Sequence, residues 1–487
     1  MSFELGSIPI QLIQTTLIIP YFIYKYDSVL YGNWISTVAI ISIFLLLDFG
    51  YGIPITNEIK NTIGLKKNNI DKLLTSVILL IFVLSLFSAT IFLLISNLLF
   101  ESFNVIYFDR NYIYSLLSLY LFLEIFLGIY GCILNATGHI NFVSKIKFSI
   151  EFLSLVISII LIYFDYKIYA FIYPLIIKTV INGSIFFYYS KIKNFLFNFN
   201  FSFFSMEEVS SFLKKSTNYQ IHRINETIYQ SADSLIIQYF LGARFVSIYN
   251  LTSKLSVLFC RTIAPKISSI LYIFLKDISK YTSNKLFIFL NKKLFRLGIL
   301  FFVFTILINE SIVTLFFGKD VYGGNYLNII FSLWIIVDYL FLASYNFALS
   351  SKMYLMLAKS SFYEMLTNLL FSIILIKFYG LIGVAIATLI SKSLYSYYFY
   401  EKPIINIFHK NFIVFLKDIS QLNKIIPFLS ISILLIIICM FYVKDNIVIF
   451  FLVSLLILIG NLFIYDFKIL VNKNISLKEK LTLIINR

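Results

Sequence analysis

Seven basic residues of this chain stand inside stretches that are otherwise apolar: Lys178, Arg223, Lys254, Arg261, Lys266, Arg296 and Lys392. A charge at the centre of a bilayer costs at least about 2.5–3.5 kcal/mol, so it normally faces protein or a water-filled cavity and marks a pathway. Lys266 and Arg296 lie near the ends of their apolar runs, where a long side chain reaches water, and are read as snorkelling cations. Lys178, Arg261 and Lys392 lie near mid-run and cannot escape so cheaply. They are either cations lining a cavity that holds an anion, or structural partners of the in-run acids Glu124, Glu151, Asp338 and Glu364. Arg223 and Lys254 complete the candidate anion-holding set. Glu124, Asp338, Asp233 and Glu226 are the candidates for charge pairing, or for coupling to a proton or sodium gradient.

The run over 217–241 carries the densest polar pattern. Tyr219, Arg223, Glu226, Gln230 and Asp233 follow 4-3-4-3 spacing, which puts them on one face of a helix, and His222 and Asn225 widen that face. Lipid could not cover such a stripe. The run is expected to face a cleft, as a cavity lining or relay, or else to carry an internal ladder joining Arg223 to Glu226. A thinner counterpart in the first run consists of Gln11, Gln14, Thr15 and Thr16. Pro20, Pro174 and Pro265 would kink or loosen their helices. Nothing points to catalysis: the histidines His139, His222 and His409 lack metal spacing, and there is no glycine-rich phosphate loop or GxSxG elbow. Cys132, Cys260 and Cys439 have no disulfide or metal spacing and read as packing residues. No cofactor and no metal are expected, and no nucleotide-binding domain is present to supply ATP as a direct fuel.

The elements that must position these charges follow from composition. Of 487 residues, 60% are hydrophobic and 13% charged, about half the charged share of a soluble domain, which makes this an integral membrane protein. Its net charge of +16 could suggest nucleic acid, but the basic residues are scattered between apolar runs and form no stripe on a soluble domain. Apolar runs long enough to cross a ~30 Å hydrocarbon core number about fourteen. They fall near 8–24, 34–55, 74–98, 112–135, 148–166, 168–190, 217–241, 246–272, 294–315, 326–350, 360–376, 379–400, 425–443 and 446–467. The first begins with almost no basic residue before it and reads as a retained anchor. About 26 of the Lys and Arg residues fall in the even-numbered loops and the tail, against about seven, one each, in the odd-numbered loops; both termini are therefore expected in the cytoplasm. The connections near 191–216 and 273–293 are basic and amphipathic and are expected to lie along the inner leaflet.

A shift of 214 residues lays the chain on itself. SIILIYF (Ser158–Phe164) falls on SIILIKF (Ser372–Phe378), Lys145 on Lys359, Lys178 on Lys392, Glu124 on Asp338, and Ser118-Leu119 on Ser332-Leu333. Six runs per unit give two copies facing the same way, related by an axis along the membrane normal. The expected architecture is an all-α polytopic membrane protein. It has a six-helix lobe over 1–200, its repeat over 201–410, a central cavity, and two peripheral helices with a cytoplasmic tail over 411–487.

YGNWISTVAIISIFLLLDFGYG (Tyr31–Gly52) with the basic 57–72 loop, ADSLIIQYFLGARFVSIYNLTSKL (Ala232–Leu255) and YGLIGVAIATLIS (Tyr379–Ser391) together resemble Wzx-type polysaccharide flippases. These belong with the multidrug/oligosaccharidyl-lipid/polysaccharide exporters. The resemblance implies a transporter, not an enzyme, in the cytoplasmic membrane. By alternating access it would pass an undecaprenyl-diphosphate-linked oligosaccharide from the inner to the outer leaflet for O-antigen or capsule synthesis. Its partners would be that cargo, membrane lipids, and the polymerase and chain-length machinery, with no nucleic acid. Lys178, Lys392, Arg261, Arg223 and Lys254 would attract the diphosphate in a low-dielectric setting. The rivals are a cation-coupled multidrug exporter, whose cavity should be acidic, a flippase for the peptidoglycan lipid precursor, and a membrane polysaccharide polymerase. The polymerase should carry large basic external loops, which this chain lacks.

Overall fold

Inside a bilayer every backbone N–H and C=O must be satisfied within its own segment or a closed barrel. The chain meets this with helices, and no strand occurs among the described residues. The computed structural model describes residues 7–62, 67–192 apart from 106 and 108, 201–267, and 283–401 apart from 352. The expected runs 425–443 and 446–467, and with them the 411–487 segment, lie outside the described residues. Eight of the described helices are long and apolar enough to cross a membrane.

The described residues divide into two compact units. The first takes in everything to Ile248 together with Ser372–Gly380; the second runs from Tyr249 to Phe371 and resumes at Leu381. In the first unit Ser7–Ile13, Gln14–Ile18 and Ile19–Lys25 form one run, α1, which widens to π pitch at Gln14–Ile18. That widening ends two residues before Pro20, whose ring cannot sit over an unaltered α-helical turn. Helix α2, Ser28–Phe44, starts at an Asp27 cap whose carboxylate accepts the Leu30 N–H at 2.7 Å. It tightens through Leu45–Asp48 and stops at Phe49 and Gly50, both at positive φ. Helix α3, Gly52–Thr62, follows. The run expected as one span over 34–55 is thus broken, and part of the expected 57–72 loop is helical.

Helices α4 (Lys67–Ser102), α5 (Arg110–Ala136), α6 (Ile140–Tyr163) and α7 (Tyr169–Ile192) continue the unit. Pro174 is accommodated within α7. The α6–α7 turn places Asp165 and Lys167 at positive φ. Lys25 caps α6 from outside, donating to the carbonyls of Ile162 (2.7 Å) and Tyr163 (2.8 Å) and pairing with Asp165 at 2.9 Å. The hydrogen bond to Asp165 holds the Lys25 ammonium above its usual pKa range.

Helix α8, Met206–Leu241, begins eleven residues before the expected span. Its first turn carries Glu207 and Glu208, which suit the positive end of a helix dipole. The portion of the 191–216 connection from Met206 onward therefore continues the helix. Near its other end Gln238 is buried, accepting from Ser36 (3.0 Å) and donating to Asn33 (3.2 Å) and to the Asn104 carbonyl (3.0 Å). Helix α9, Ala243–Thr252, follows, and its Ser247 hydroxyl donates to the Ser28 carbonyl. A Cβ on Gly32 would collide with the Ala243 carbonyl oxygen, so only glycine permits this approach. These contacts explain why the first compact unit extends to Ile248. Compact units are not repeat units, and the division at residues 200 and 201 remains a proposal.

In the second unit α10, Lys254–Val257, runs into a π stretch, Leu258–Ile263, which again ends two residues before a proline, Pro265. Helices α11 (Ser283–Phe317) and α12 (Asn325–Ser350) pack together closely. From Ser283 onward the expected inner-leaflet connection is likewise part of a long helix. Helix α13, Tyr354–Tyr395, is interrupted at Gly380, with φ 55° and ψ −133°. At 1.5 Å per residue an unbroken helix would hold Asn368 and Thr388 about 30 Å apart. The Asn368 amide instead donates to the Thr388 hydroxyl at 2.9 Å, and Ser360 donates to the Tyr395 carbonyl at 3.3 Å. The chain therefore reverses at Gly380, as a helical hairpin matching the expected runs 360–376 and 379–400.

Candidate functional site

Lys178, on α7, points its ammonium toward Glu151 of α6 at 3.9 Å. Both line a cavity of about 210 Å³ that also takes in Glu124, Lys147, Thr179 and Asn182. Glu124, on α5, accepts from the Thr179 hydroxyl at 2.5 Å. Two ammonium and two carboxylate groups line this cavity, so its formal charge is zero.

In the second unit Lys392 lies 3.6 Å from Glu364 and 3.8 Å from Asp338. The Glu364 side chain is 8% exposed, Asp338 17% and Lys392 25%, so water screens this group little. Each lysine on the second arm of a hairpin meets a glutamate on the first arm, Glu151 or Glu364. The residues at the Glu124 and Asp338 positions differ, since Asp338 meets its lysine and Glu124 meets Thr179. Both lysines have carboxylate partners, and Lys178 lines a cavity as well. Neither lysine is a bare cation.

Arg261 is exposed on the π stretch of the second unit, its guanidinium 5.4 Å from the centre of the Trp334 ring. Trp334 stands one helical turn before Asp338 on α12. Lys254 is half-buried at the first residue of α10. Arg223, on α8, pairs with Asp48 at 2.5 Å and not with Glu226, which is exposed and accepts from Gln230 at 3.2 Å. The expected Arg223–Glu226 ladder is absent because the broken end of α2 brings Asp48 to Arg223. Asp233 is buried on the same helix.

Asp48 is the residue that sequence reading overlooked. Its carboxylate also accepts the Gly50 N–H at 2.8 Å. With Arg223 it borders a cavity of about 510 Å³, lined further by Thr56, Asn57, Cys132 and Asn135. A lone acid after the apolar FLLL was as visible a signal as Glu124 or Asp338. Among the described residues no cluster of His, Cys, Asp and Glu could hold a metal ion.

The family described as polysaccharide biosynthesis protein matches residues 38–323. No curated protein matches the chain. Among solved structures, the lipid II flippase MurJ in its inward closed conformation superposes with a TM-score of 0.70 at 19% identity, over 96% of this chain and 99% of that one. An inward-facing multidrug resistance MATE family transporter of the MOP superfamily gives 0.68 at 13% identity, over 81% and 94%. A MOP superfamily transporter from Pyrococcus furiosus, described as having a binding pocket of reverse polarity, gives 0.59 at 14% identity, over 83% and 94%. At these identities the likeness establishes a shared fold, that of the MOP superfamily transporters.

Proposed function

Because the chain belongs to the polysaccharide biosynthesis protein family, we propose that it is the flippase that moves a polyprenyl-diphosphate-linked oligosaccharide from the inner to the outer leaflet of the cytoplasmic membrane. The cargo would serve a surface polymer of the O-antigen or capsule kind, and movement would follow alternating access. The observation that carries this reading is the pair of lysine–carboxylate groups, Lys178 with Glu151 and Lys392 with Glu364 and Asp338, held in apolar helices of a transporter fold. Buried charge in such helices is costly and marks a pathway. Lys178, Lys392, Arg261, Arg223 and Lys254 are proposed to face the diphosphate at some stage of crossing. Glu124, Asp338, Asp233 and Glu226 are proposed to answer to a proton or sodium gradient.

One observation favours a second reading. Two carboxylates, Glu364 and Asp338, flank Lys392, and carboxylates within apolar helices suit an organic cation, as in a multidrug exporter. A deletion strain separates the two. Loss of surface polymer, with the complete lipid-linked unit accumulating on the inner leaflet, is the flippase outcome. Accumulation on the outer leaflet would assign the defect to polymerisation, and unchanged polymer with increased drug sensitivity would favour the exporter.

A further inference from the structure

We infer that the cavity at the broken end of α2 is a sugar-binding subsite, which selects the carbohydrate of the cargo; this rests on the flippase reading above. Three elements end or break around it: α2 at Asp48, α5 at Asn135, and α3 at its first turn, with Arg223 of α8 closing the side. Its volume of about 510 Å³ is within the ~300–1,000 Å³ typical of small-molecule sites.

The lining chemistry distinguishes sugar from phosphate. The one guanidinium, Arg223, is paired with Asp48 at 2.5 Å in this conformation, so here the cavity holds no surplus positive charge for a diphosphate, which Arg223 would meet only after that pair opens at another stage of crossing. What remains is neutral and polar. Asn57, which is exposed, and Asn135, which is half-buried, line it, and each amide offers one acceptor and two donors. Thr56 donates its proton to the Gly52 carbonyl at 2.7 Å and keeps its acceptor capacity. Planar amide, carboxylate and guanidinium groups can each engage two adjacent hydroxyls, the pattern a pyranose presents. Gly50 and Gly52 line it as well, and so does the buried Tyr51, anchored by its hydroxyl on the Ile125 carbonyl at 2.8 Å.

A second observation lies alongside. Gln220, one turn before Arg223, is 5% exposed; its amide nitrogen donates to the Leu46 carbonyl at 2.5 Å, while its oxygen has no hydrogen-bond partner among the described residues. Gln220 does not itself line the cavity; its bond to Leu46 ties α8 to the end of α2 and so holds Arg223 at the cavity's side. On the orientation expected from the basic loops, this end of the unit faces the cytoplasm, where the lipid-linked unit is assembled. A site built of paired donors and acceptors rejects a sugar lacking the matching hydroxyl more strongly than an apolar site rejects a methylene.

The test uses the purified full-length protein in nanodiscs. Saturation-transfer NMR is recorded with the intact lipid-linked unit from the deletion strain, with the oligosaccharide released from it by mild acid, and with inorganic diphosphate as competitor. The released oligosaccharide should receive saturation that diphosphate does not displace. Asn57→Ala and Asn135→Ala should each weaken it about tenfold, while both proteins melt at the wild-type temperature. Binding of the intact unit without the released sugar overturns the subsite and leaves the flippase reading standing. The subsite also falls, and the flippase reading stands, if sugar binding is undiminished in both variants or if diphosphate displaces it. Binding of neither overturns both.

Discussion

At the scale of single residues, the two lysine groups look alike but are balanced differently. Lys178 shares its cavity with Lys147, whereas Lys392 lies 3.6 and 3.8 Å from two better-buried carboxylates. Removing one partner of a buried pair strands the other charge, at about 3–5 kcal/mol when fully buried and less where water reaches. Lys392→Ala should therefore cost about 3 kcal/mol. Lys178→Ala, with its partners one-third exposed, should cost about 1 kcal/mol. Membrane abundance and melting temperature should fall further in the first variant than in the second. Adding Glu364→Gln to Lys392→Ala should restore abundance. Export restored along with it would reduce Lys392 to a structural counter-ion; export still lost would keep it on the transport path. The scarcity of charge in apolar runs made these residues legible in sequence, and the offset set Lys178 opposite Lys392. The choice of partner was not legible, since Glu151 and Glu364 lie 213 and not 214 residues apart, and Asp48 reaches Arg223 only through a backbone break.

At the scale of elements, the break in the second run comes from backbone geometry that hydropathy does not encode. The run over 34–55 is mostly apolar, with Asp48 its one charge, yet Phe49 and Gly50 at positive φ end α2 inside it. The early start of α8 did have a signal, Ser205 followed by Glu207 and Glu208, the composition of a helix N-terminus. Two glycines carry the geometry that other residues cannot. Gly380→Ala would force a side chain into φ 55° with ψ −133°, outside the left-handed well, at about 1–2 kcal/mol or more. Gly32→Ala would push α9 away from α2, at about 1–3 kcal/mol. Melting of the purified variants in detergent should show a loss for both, and a wild-type melting temperature in either would remove the structural role assigned to that glycine.

At the scale of the whole chain, orientation is the property that sequence reading supplies and the helices alone do not. If the even loops are cytoplasmic, alkaline phosphatase fused after Asp165 or Lys319 should be active, and fused after Lys60 or Lys145 inactive. An inverted pattern would turn the entry side of the cargo, and the 510 Å³ cavity with it, to the outside. The hairpin at Gly380 bears on how such a chain comes to be made. Lys392 is too costly to pass alone from the translocon into lipid. Its nearest carboxylate, Glu364, lies on the other arm of the same hairpin, 28 residues back, whereas Asp338 belongs to an earlier helix. Closing so short a loop costs little entropy. The two arms can therefore leave the ribosome's side of the membrane already joined, Lys392 and Glu364 offsetting each other's charge, with Asp338 added only when the neighbouring helix docks. Seen this way, the ion pair is a travelling companion for biogenesis before it is anything to the cargo.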